Sequence, residues 1–295
     1  MDITIIIVSY NTKDLTLNCL RSVYAKTEKV RFEVVVVDNA STDGSPEAIR
    51  KEFPHSRLIE NPVNLGFGAA NNRAIRETRS NYVFLLNSDT LLVNNAAKIL
   101  FDAMECAENK NIGICGGSFF TEYMTPHLSY GNFPSLGQII FELLELHHLF
   151  GKWYENSFQT IVENRSEAVR TVDYVSGAGM FLRRAALDRA GLFDEDFFLY
   201  FEDTELSYRL KNNGYSSLLV PQAKILHLSC RDAVYDEKKF RIIERSRYLF
   251  FYKCYGPAIT RISKYVYLLR YLLRTVITGN GRYWNMGRLI ADTWR

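Results

Sequence analysis

The first third of the chain alternates short apolar runs with longer stretches in which apolar positions recur every three or four residues. Residues 3–8, 32–37 and 82–86 are largely apolar and rich in Ile, Val and Leu, which predicts buried strands, and 56–60 predicts a shorter one. Between them, 12–25 places Leu15, Cys19 and Val23 at helical spacing with Leu20 alongside, and 46–53, 68–78 and 96–108 read as helices. Ser41-Thr42-Asp43-Gly44 is turn chemistry able to cap the helix at 46–53, and 111–116 begins another strand. Strand–helix alternation with strands apolar on both faces predicts an α/β fold with a parallel sheet covered on both sides.

The pattern loosens after Phe119. Residues 120–170 mix aromatics, Gly and Pro with one apolar helix at 136–150, and read as an insertion over the sheet's rim, where substrate-contacting segments tend to lie. Order returns with strands at 171–175 and 180–183, a helix at 204–213 ended by Gly214, and strands at 215–220 and 224–227. From Phe240 onward the chain reads as helical. The expected division is an α/β domain over 1–235 and a helical tail over 236–295.

Charge changes the picture of the tail. The 295 residues are 47% hydrophobic and 23% charged, an ordinary globular composition. From Phe240 to Arg295, eleven Lys/Arg stand against Glu244 and Asp292, a balance of +9; the whole chain carries +3, so residues 1–239 carry −6. These cations interleave with Tyr, Phe and Leu, which suits helices lying on an anionic bilayer; the alternative is a helical subdomain packed on the body or on a second subunit. Nucleic acid is not expected, because no nucleic-acid motif accompanies the charge. The five cysteines, Cys19, Cys106, Cys115, Cys230 and Cys254, form no Cys-x-x-Cys pair and read as free thiols in a reducing compartment. The start lacks the basic residues of a signal peptide, and the nearest approach to a membrane span, 265–277, is interrupted by Arg270 and Arg274. A cytoplasmic body is expected.

Polar groups cluster where the strands end. Asn87-Ser88-Asp89 closes the run 82–86, and Ser9-Tyr10-Asn11, Asp38-Asn39 and Glu202-Asp203 stand at comparable places. A buried strand that delivers a carboxylate to its carboxyl end places a ligand group at the rim of an α/β sheet. Such a carboxylate can hold a divalent cation, and the cation can neutralise a diphosphate. Asp38, after four successive valines, is placed to accept hydrogen bonds from a nucleoside; the alternative, a helix cap, is already available from Asp43. Glu202-Asp203 follows Phe197-Phe198-Leu199-Tyr200-Phe201, so burial should raise their pKa and suit a general base; alternatively Asp203 caps the helix at 204–213. His227 ends a strand, and by spacing alone a lone histidine is more often structural than a metal ligand. Gly66-Phe67-Gly68-Ala69-Ala70-Asn71 imitates a dinucleotide fingerprint. Asn71 stands where Gly or Ala is needed and the motif follows the third strand, so a nicotinamide-dependent oxidoreductase is the weaker reading.

In their order along the chain, Val8-Ser9-Tyr10-Asn11, Val37-Asp38-Asn39-Ala40-Ser41-Thr42-Asp43-Gly44, Asn64-Leu65-Gly66-Phe67, Asn87-Ser88-Asp89, Gly177-Ala178-Gly179 and Phe201-Glu202-Asp203-Thr204-Glu205-Leu206 resemble the inverting family 2 glycosyltransferases of the GT-A fold. The resemblance covers about residues 2–230 and leans to bacterial rhamnosyltransferase-like enzymes of surface-polysaccharide synthesis; galactofuranosyltransferases are similar too. It implies a Rossmann-like mixed sheet, mainly parallel, with helices on both faces and a C-terminal helical segment. It implies that Ser9, Tyr10 and Asp38 hold base and ribose, that Asn64 and Gly66 lie along the nucleotide pocket, and that Asp89 binds Mg²⁺ or Mn²⁺. Asn87 replaces the first acid of the family's Asp-x-Asp element and supplies no charge, which makes His227 the second expected metal ligand. Gly177 and Ala178 would let the backbone approach sugar or acceptor, Asp203 would be the general base, and Glu202 is second choice. The implied donor is a nucleoside-diphospho-sugar, dTDP-rhamnose ahead of UDP-sugars. The implied acceptor is a glycan or lipid-linked glycan, met by an enzyme peripheral on the inner face of the cell membrane. A non-catalytic sugar-nucleotide-binding protein would need the acidic groups lost, and Asp89, Asp203 and His227 are present. Self-association stays open.

Overall fold

The computed structural model describes residues 1–158, 162–228 and 236–294. The first half runs β1 (Ile3–Ser9), α1 (Lys13–Lys26), β2 (Phe32–Asp38), α2 (Ser45–Glu52), β3 (Arg57–Glu60), α3 (Phe67–Arg76), β4 (Tyr82–Asn87), β5 (Thr90–Leu92), α4 (Ala96–Glu105) and β6 (Ile112–Phe120). The excursion that follows holds β7 (Pro126–Gly131), α5 (Leu136–Leu143), α6 (Gly151–Phe158), β8 (Val162–Glu163), β9 (Arg170–Val172) and β10 (Tyr174–Val175). The chain then returns through β11 (Gly179–Arg183), α7 (Arg184–Ala190), α8 (Glu202–Asn212) and β12 (Ser216–His227), and ends in α9 (Glu237–Thr278) and α10 (Gly281–Thr293).

One mixed sheet organises the body, in the order β10-β7-β6-β11-β4-β1-β2-β3. Strands β4-β1-β2-β3 are parallel, β11 runs antiparallel between β4 and β6, and β12 lies parallel to β6. The unbroken apolar runs follow from burial on both faces. Ile5, Ile7, Val34, Val36 and Phe84 point to a core shared with α1 and α4. Ile6, Val35, Val37 and Val83 point to the opposite core, shared with α3, α7 and α8. Ile3, Ile5, Ile6 and Ile7 are fully buried. A side chain of that size withdrawn from water contributes about 1.5–3 kcal/mol, which leaves little freedom for a register slip.

Several elements differ from the sequence-based expectation. The helix at 136–150 breaks at Glu145, whose φ of 54° is left-handed and whose carboxylate is held by Arg274 at 3.0 Å, a partner far along the chain. The helix at 204–213 begins earlier, so Glu202 and Asp203 occupy its first turn; its N-cap is Phe201, and Asp203 is not the cap. The strands at 215–220 and 224–227 are one strand with a register shift between Leu219 and Lys224. Pro221 lies in that irregularity, the place a strand tolerates proline. A Cβ on Gly117 would approach the Ala223 carbonyl to 2.2 Å, so glycine is required opposite the shift. Cys19, Cys106, Cys115 and Cys254 are free thiols, and Cys230 lies outside the described residues.

The tail is not a detached appendage. Gly256, with φ 82°, bends α9, and Pro257 starts its second half. Phe250, Phe251, Tyr267, Ile290 and Trp294 of the tail form a third core with Ile139 and Phe197 of the body. Among the described residues no helix is long and apolar enough to cross a membrane. Tail and body should therefore unfold in one transition in urea. Phe250→Ala, which empties a fully buried aromatic site, should lower the unfolding free energy by about 3–5 kcal/mol. A separate early transition for the tail would contradict this.

Candidate active site

Parallel pairing sets Ser9 opposite Asp38 and Val8 opposite Asn87. The carboxyl ends of β1, β2 and β4 therefore stop abreast, and the polar residues that follow share one rim. A cavity of about 280 Å³ opens there against Tyr10, Thr12, Asn39, Asn64, Asn87 and Asp89. A second, of about 380 Å³, lies against Gly177, Tyr200, Glu202, Asp203, His227 and Ile243. Phe67, Asn87 and Leu199 line both, so the two are adjoining halves of one cleft.

In the smaller half, Tyr10 is half-exposed and offers a flat ring at the lip. Asp38 is buried; its Oδ2 accepts the Ser41 N–H at 2.8 Å, and its Oδ1 is buried without a hydrogen-bond partner among the described residues. An unpaired buried carboxylate oxygen is costly, so this atom favours a donor brought by a ligand. The helix-start contact falls to Asp43, which accepts from Ser45 N–H at 3.0 Å. Ser9 departs from expectation. Its hydroxyl is fully buried against Thr16 and Thr12 of the α1 start and does not line the cavity.

Asn64 and Gly66 act on the loop itself. The Asn64 Oδ1 accepts from Gly66 N–H and from Asn39 Nδ2, both at 2.9 Å, while Asn39 Oδ1 accepts from Asn61 Nδ2 at 2.8 Å. Asn39 and Asn61 are thus site-forming residues that motif reading passed over. Gly66 has φ 85°, and a Cβ there would meet the Phe198 carbonyl oxygen at 2.2 Å. Gly68 packs against Phe193. The space a pyrophosphate would need at a dinucleotide turn is filled by the chain's own backbone, which removes the oxidoreductase reading.

Asp89 and His227 come together. The antiparallel pairing of β5 with β12 puts His227 beside Thr90, and His227 Nε2 lies 3.4 Å from Asp89 Oδ1. His227 Nδ1 is buried without a partner among the described residues, and the His127 and Phe119 rings lie near the imidazole. One carboxylate oxygen and one imidazole nitrogen suit a divalent ion that takes its remaining ligands from a diphosphate and water. No group of three or more His, Cys, Asp or Glu able to hold a metal occurs among the described residues.

The larger half is built around Asp203. Its Oδ2 accepts the Gly177 N–H at 2.8 Å, and its Oδ1 accepts the Thr204 N–H at 2.7 Å and the Thr204 hydroxyl at 3.1 Å. A Cβ on Gly177 would press on the Phe67 ring at 3.2 Å and on Asp203 at 3.4 Å. Gly177 makes room for the carboxylate and also lines the larger half of the cleft. Ala178 is buried, and its carbonyl accepts the Asn87 N–H at 3.0 Å. Burial raises the Asp203 pKa, against which the bonds from Gly177 and Thr204 favour the anion. Glu202 lacks such donors. Burial first, and the neighbouring Asp203 second, push its pKa well up, and its Oε2 has no partner among the described residues. Burial thus raises both adjacent acids, and Asp203 alone of the two has the Gly177 and Thr204 donors that offset it.

The backbone before them is strained. Tyr200 and Phe201 both have left-handed φ, 70° and 66°, costing of order 1–3 kcal/mol each. The tail holds this segment: the Ser246 hydroxyl donates to the Leu199 carbonyl at 2.8 Å, and Arg247 and Phe250 pack on the Phe201 ring. No local sequence signal marks Ser246 or Ile243 as belonging to the site.

Solved structures share this architecture. The mannosyltransferase PcManGT from Pyrobaculum calidifontis, in complex with GDP-Man and Mn²⁺, superposes with TM-score 0.58 at 17% identity, over 99% of this chain and 85% of that one. GalNAc-T7 with UDP, GalNAc and Mn²⁺ gives TM-score 0.60 at 13% identity, over 83% of this chain and 47% of that one. The fold is that of the GT-A glycosyltransferases. The sequence profile of Glycosyl transferase family 2 matches residues 4–189, and the chain belongs to that family of enzymes. It is similar to the N-acetylglucosaminyl-diphospho-decaprenol L-rhamnosyltransferase of Mycobacterium tuberculosis, 29% identical over 237 residues, 76% of this chain and 75% of that protein. It is also similar to the O-antigen biosynthesis protein RfbC of Myxococcus xanthus, 25% identical over 229 residues, 76% of this chain but 17% of that protein.

Glu202 gives a pH-dependent prediction. Its folded pKa is raised, so its contribution is fully present below the ordinary glutamate value of 4.5 and is lost as pH rises towards the folded value. Glu202→Gln removes the titration. Relative to the native chain, the variant should gain stability above that pH, by at most about 1.4 kcal/mol per pH unit, in urea unfolding across a pH series. A pH-independent difference would show that Glu202 ionises normally.

Proposed function

We propose that this glycosyltransferase moves a sugar from a nucleoside-diphospho-sugar to an acceptor hydroxyl in one displacement, with inversion. The leading donor is dTDP-L-rhamnose, because the rhamnosyltransferase likeness spans most of both chains. A UDP-sugar, galactofuranose included, is the second choice. The observation that carries the reading is the division of the cleft. Asp89 lines the smaller half and the Gly177-anchored Asp203 the larger, with Asn87 lining both and His227, on the larger half, reaching Asp89 at 3.4 Å.

The nucleoside lies against Tyr10, and the buried Oδ1 of Asp38, which does not line the cavity, reaches it once the rim shifts. The Asp203 carboxylate takes the proton of the acceptor hydroxyl, and that oxygen attacks the anomeric carbon from the face opposite the diphosphate. The bond from the anomeric carbon to the diphosphate oxygen breaks, and the nucleoside diphosphate leaves. Glu202 lacks the donors that hold Asp203 in place and is the second choice as base. Asp89 and His227 would hold Mn²⁺ or Mg²⁺, which supplies charge neutralisation for the diphosphate; an imidazole ligand favours the transition ion. The apolar Leu199, Tyr200 and Ile243 suit an acceptor carried on a lipid or a polysaccharide. A lipid-linked acceptor puts the enzyme at the inner face of the cell membrane.

Nucleoside-diphosphate release from a panel of sugar nucleotides, with Mn²⁺, Mg²⁺ or EDTA and a lipid-linked acceptor extract, tests this. Release from one donor that EDTA abolishes is expected; no release and no metal-dependent nucleotide binding would overturn it. Asp203→Asn should lower kcat by about 10²–10⁴ and leave nucleotide affinity unchanged; near-native transfer would rule Asp203 out as the base. Asp89→Ala should abolish the Mn²⁺-dependent part of nucleotide binding in calorimetry. Binding that still strengthens with Mn²⁺ would place the ion elsewhere.

A further inference from the structure

The second half of α9, residues 257–278, is in contact on one face and apolar on the opposite one. Its inner face, with Thr260, Ser263 and Tyr267, is buried. Opposite, Ile262, Tyr265, Leu269, Leu272, Leu273 and Val276 are exposed, and at about 100° per residue they fall in a single stripe. Val276 and Ile277 at its end are 74% and 79% exposed. A helix that had only to pack on its own body would carry polar residues there. The insertion repeats the pattern: Leu144, Leu149, Phe150 and Trp153 are exposed around the break at Glu145. Arg270 pairs with Glu142 and Arg274 with Glu145, so the two apolar rims adjoin in one surface. A surface of that kind marks an interaction site.

Charge selects the partner. Of the cations in 257–294, Arg270 and Arg274 are paired with Glu142 and Glu145 and Lys264 donates to the Trp294 carbonyl at 2.8 Å; Arg261, Arg282 and Arg288 are exposed, against one acid, Asp292. A second copy docked stripe to stripe would set like charges against each other. An anionic lipid surface meets the apolar stripe with acyl chains and the cations with headgroups. We propose that the outer stripe of the second half of α9, together with the exposed rim of the α5–α6 insertion, is the face by which the enzyme docks on an anionic phospholipid bilayer. The inference rests on the membrane reading above and assigns its surface. It moves the contact away from Phe250 and Phe251, which are core residues. It also orients the active site, because Pro134, just before α5, and Ile243, in the first half of α9, both line the larger cavity. A lipid-linked acceptor then reaches Asp203 from the docked side.

The test is flotation of the full-length protein with vesicles of phosphatidylcholine alone and of phosphatidylcholine mixed with phosphatidylglycerol. The native chain should float with the mixed vesicles. The triple variant Leu269→Ser, Leu273→Ser, Val276→Ser should bind them about tenfold more weakly or worse. Its circular dichroism and nucleotide affinity should stay native, because the substituted side chains lie on the outer face. A native chain that floats with neither vesicle overturns the membrane reading and this assignment together. Native flotation that the triple variant retains overturns the assigned face alone. A dimer in sedimentation that the variant abolishes, with no native flotation, makes the stripe a contact between copies and overturns the lipid.

Discussion

The hydrogen bond from the Gly177 N–H to Asp203 joins two parts of the molecule that the cleft needs in register. Asp203 belongs to the first turn of α8, on one side of the sheet, and Gly177 to the turn that enters β11. One residue later the Ala178 carbonyl takes the N–H of Asn87, at the end of β4. Two residues of backbone, Gly177 and Ala178, thus hold the carboxylate on one half of the cleft and the Asn87-Ser88-Asp89 turn on the other. A side chain at 177 would press on the carboxylate and on Phe67, so glycine answers to the acid's position.

The loop before α8 shows what this placement costs. Two bulky residues in left-handed conformation are not stable by local preference and persist only where their surroundings over-determine them. Here the surroundings are tertiary. The Phe198 carbonyl is seated on Gly66 and bonded to the Phe67 N–H, the Leu199 carbonyl is bonded by Ser246, and the Phe201 ring is enclosed by Arg247 and Phe250. The tail is therefore part of what shapes the cleft as well as of the third core. The surface it leaves outward is free for another purpose.

Electrostatics divides the labour among the acids. Two adjacent carboxyls buried together do not both ionise readily, and the one supplied with donors takes the charge. Asp203 has three donors, from Gly177 and Thr204; Glu202, turned into the packing between α8 and Gly68, has no partner at Oε2. Asp89 is matched differently, by an imidazole contributed through strand pairing.

Much of this was legible from local pattern. A strand buried on both faces must be apolar at every position, so β1, β2 and β4 declare themselves, and a parallel sheet places their following residues at one rim. Asp38, Asn87 and Asp89 could be singled out on that ground alone; Asp203, expected at a strand end, instead follows a loop and opens α8. Periodicity reports that a face is buried but not what buries it, and there the tertiary structure decided. Ser9 turns inward because two threonines of α1 wait beneath it. Gly66 and Gly177 make room for Phe198 and Asp203, residues distant in sequence. The expected helix at 136–150 yields to an arginine of α9. Ser246 enters the site through one hydrogen bond across the tail interface. Each of these rests on a contact between residues far apart along the chain, and no window on the sequence contains both partners.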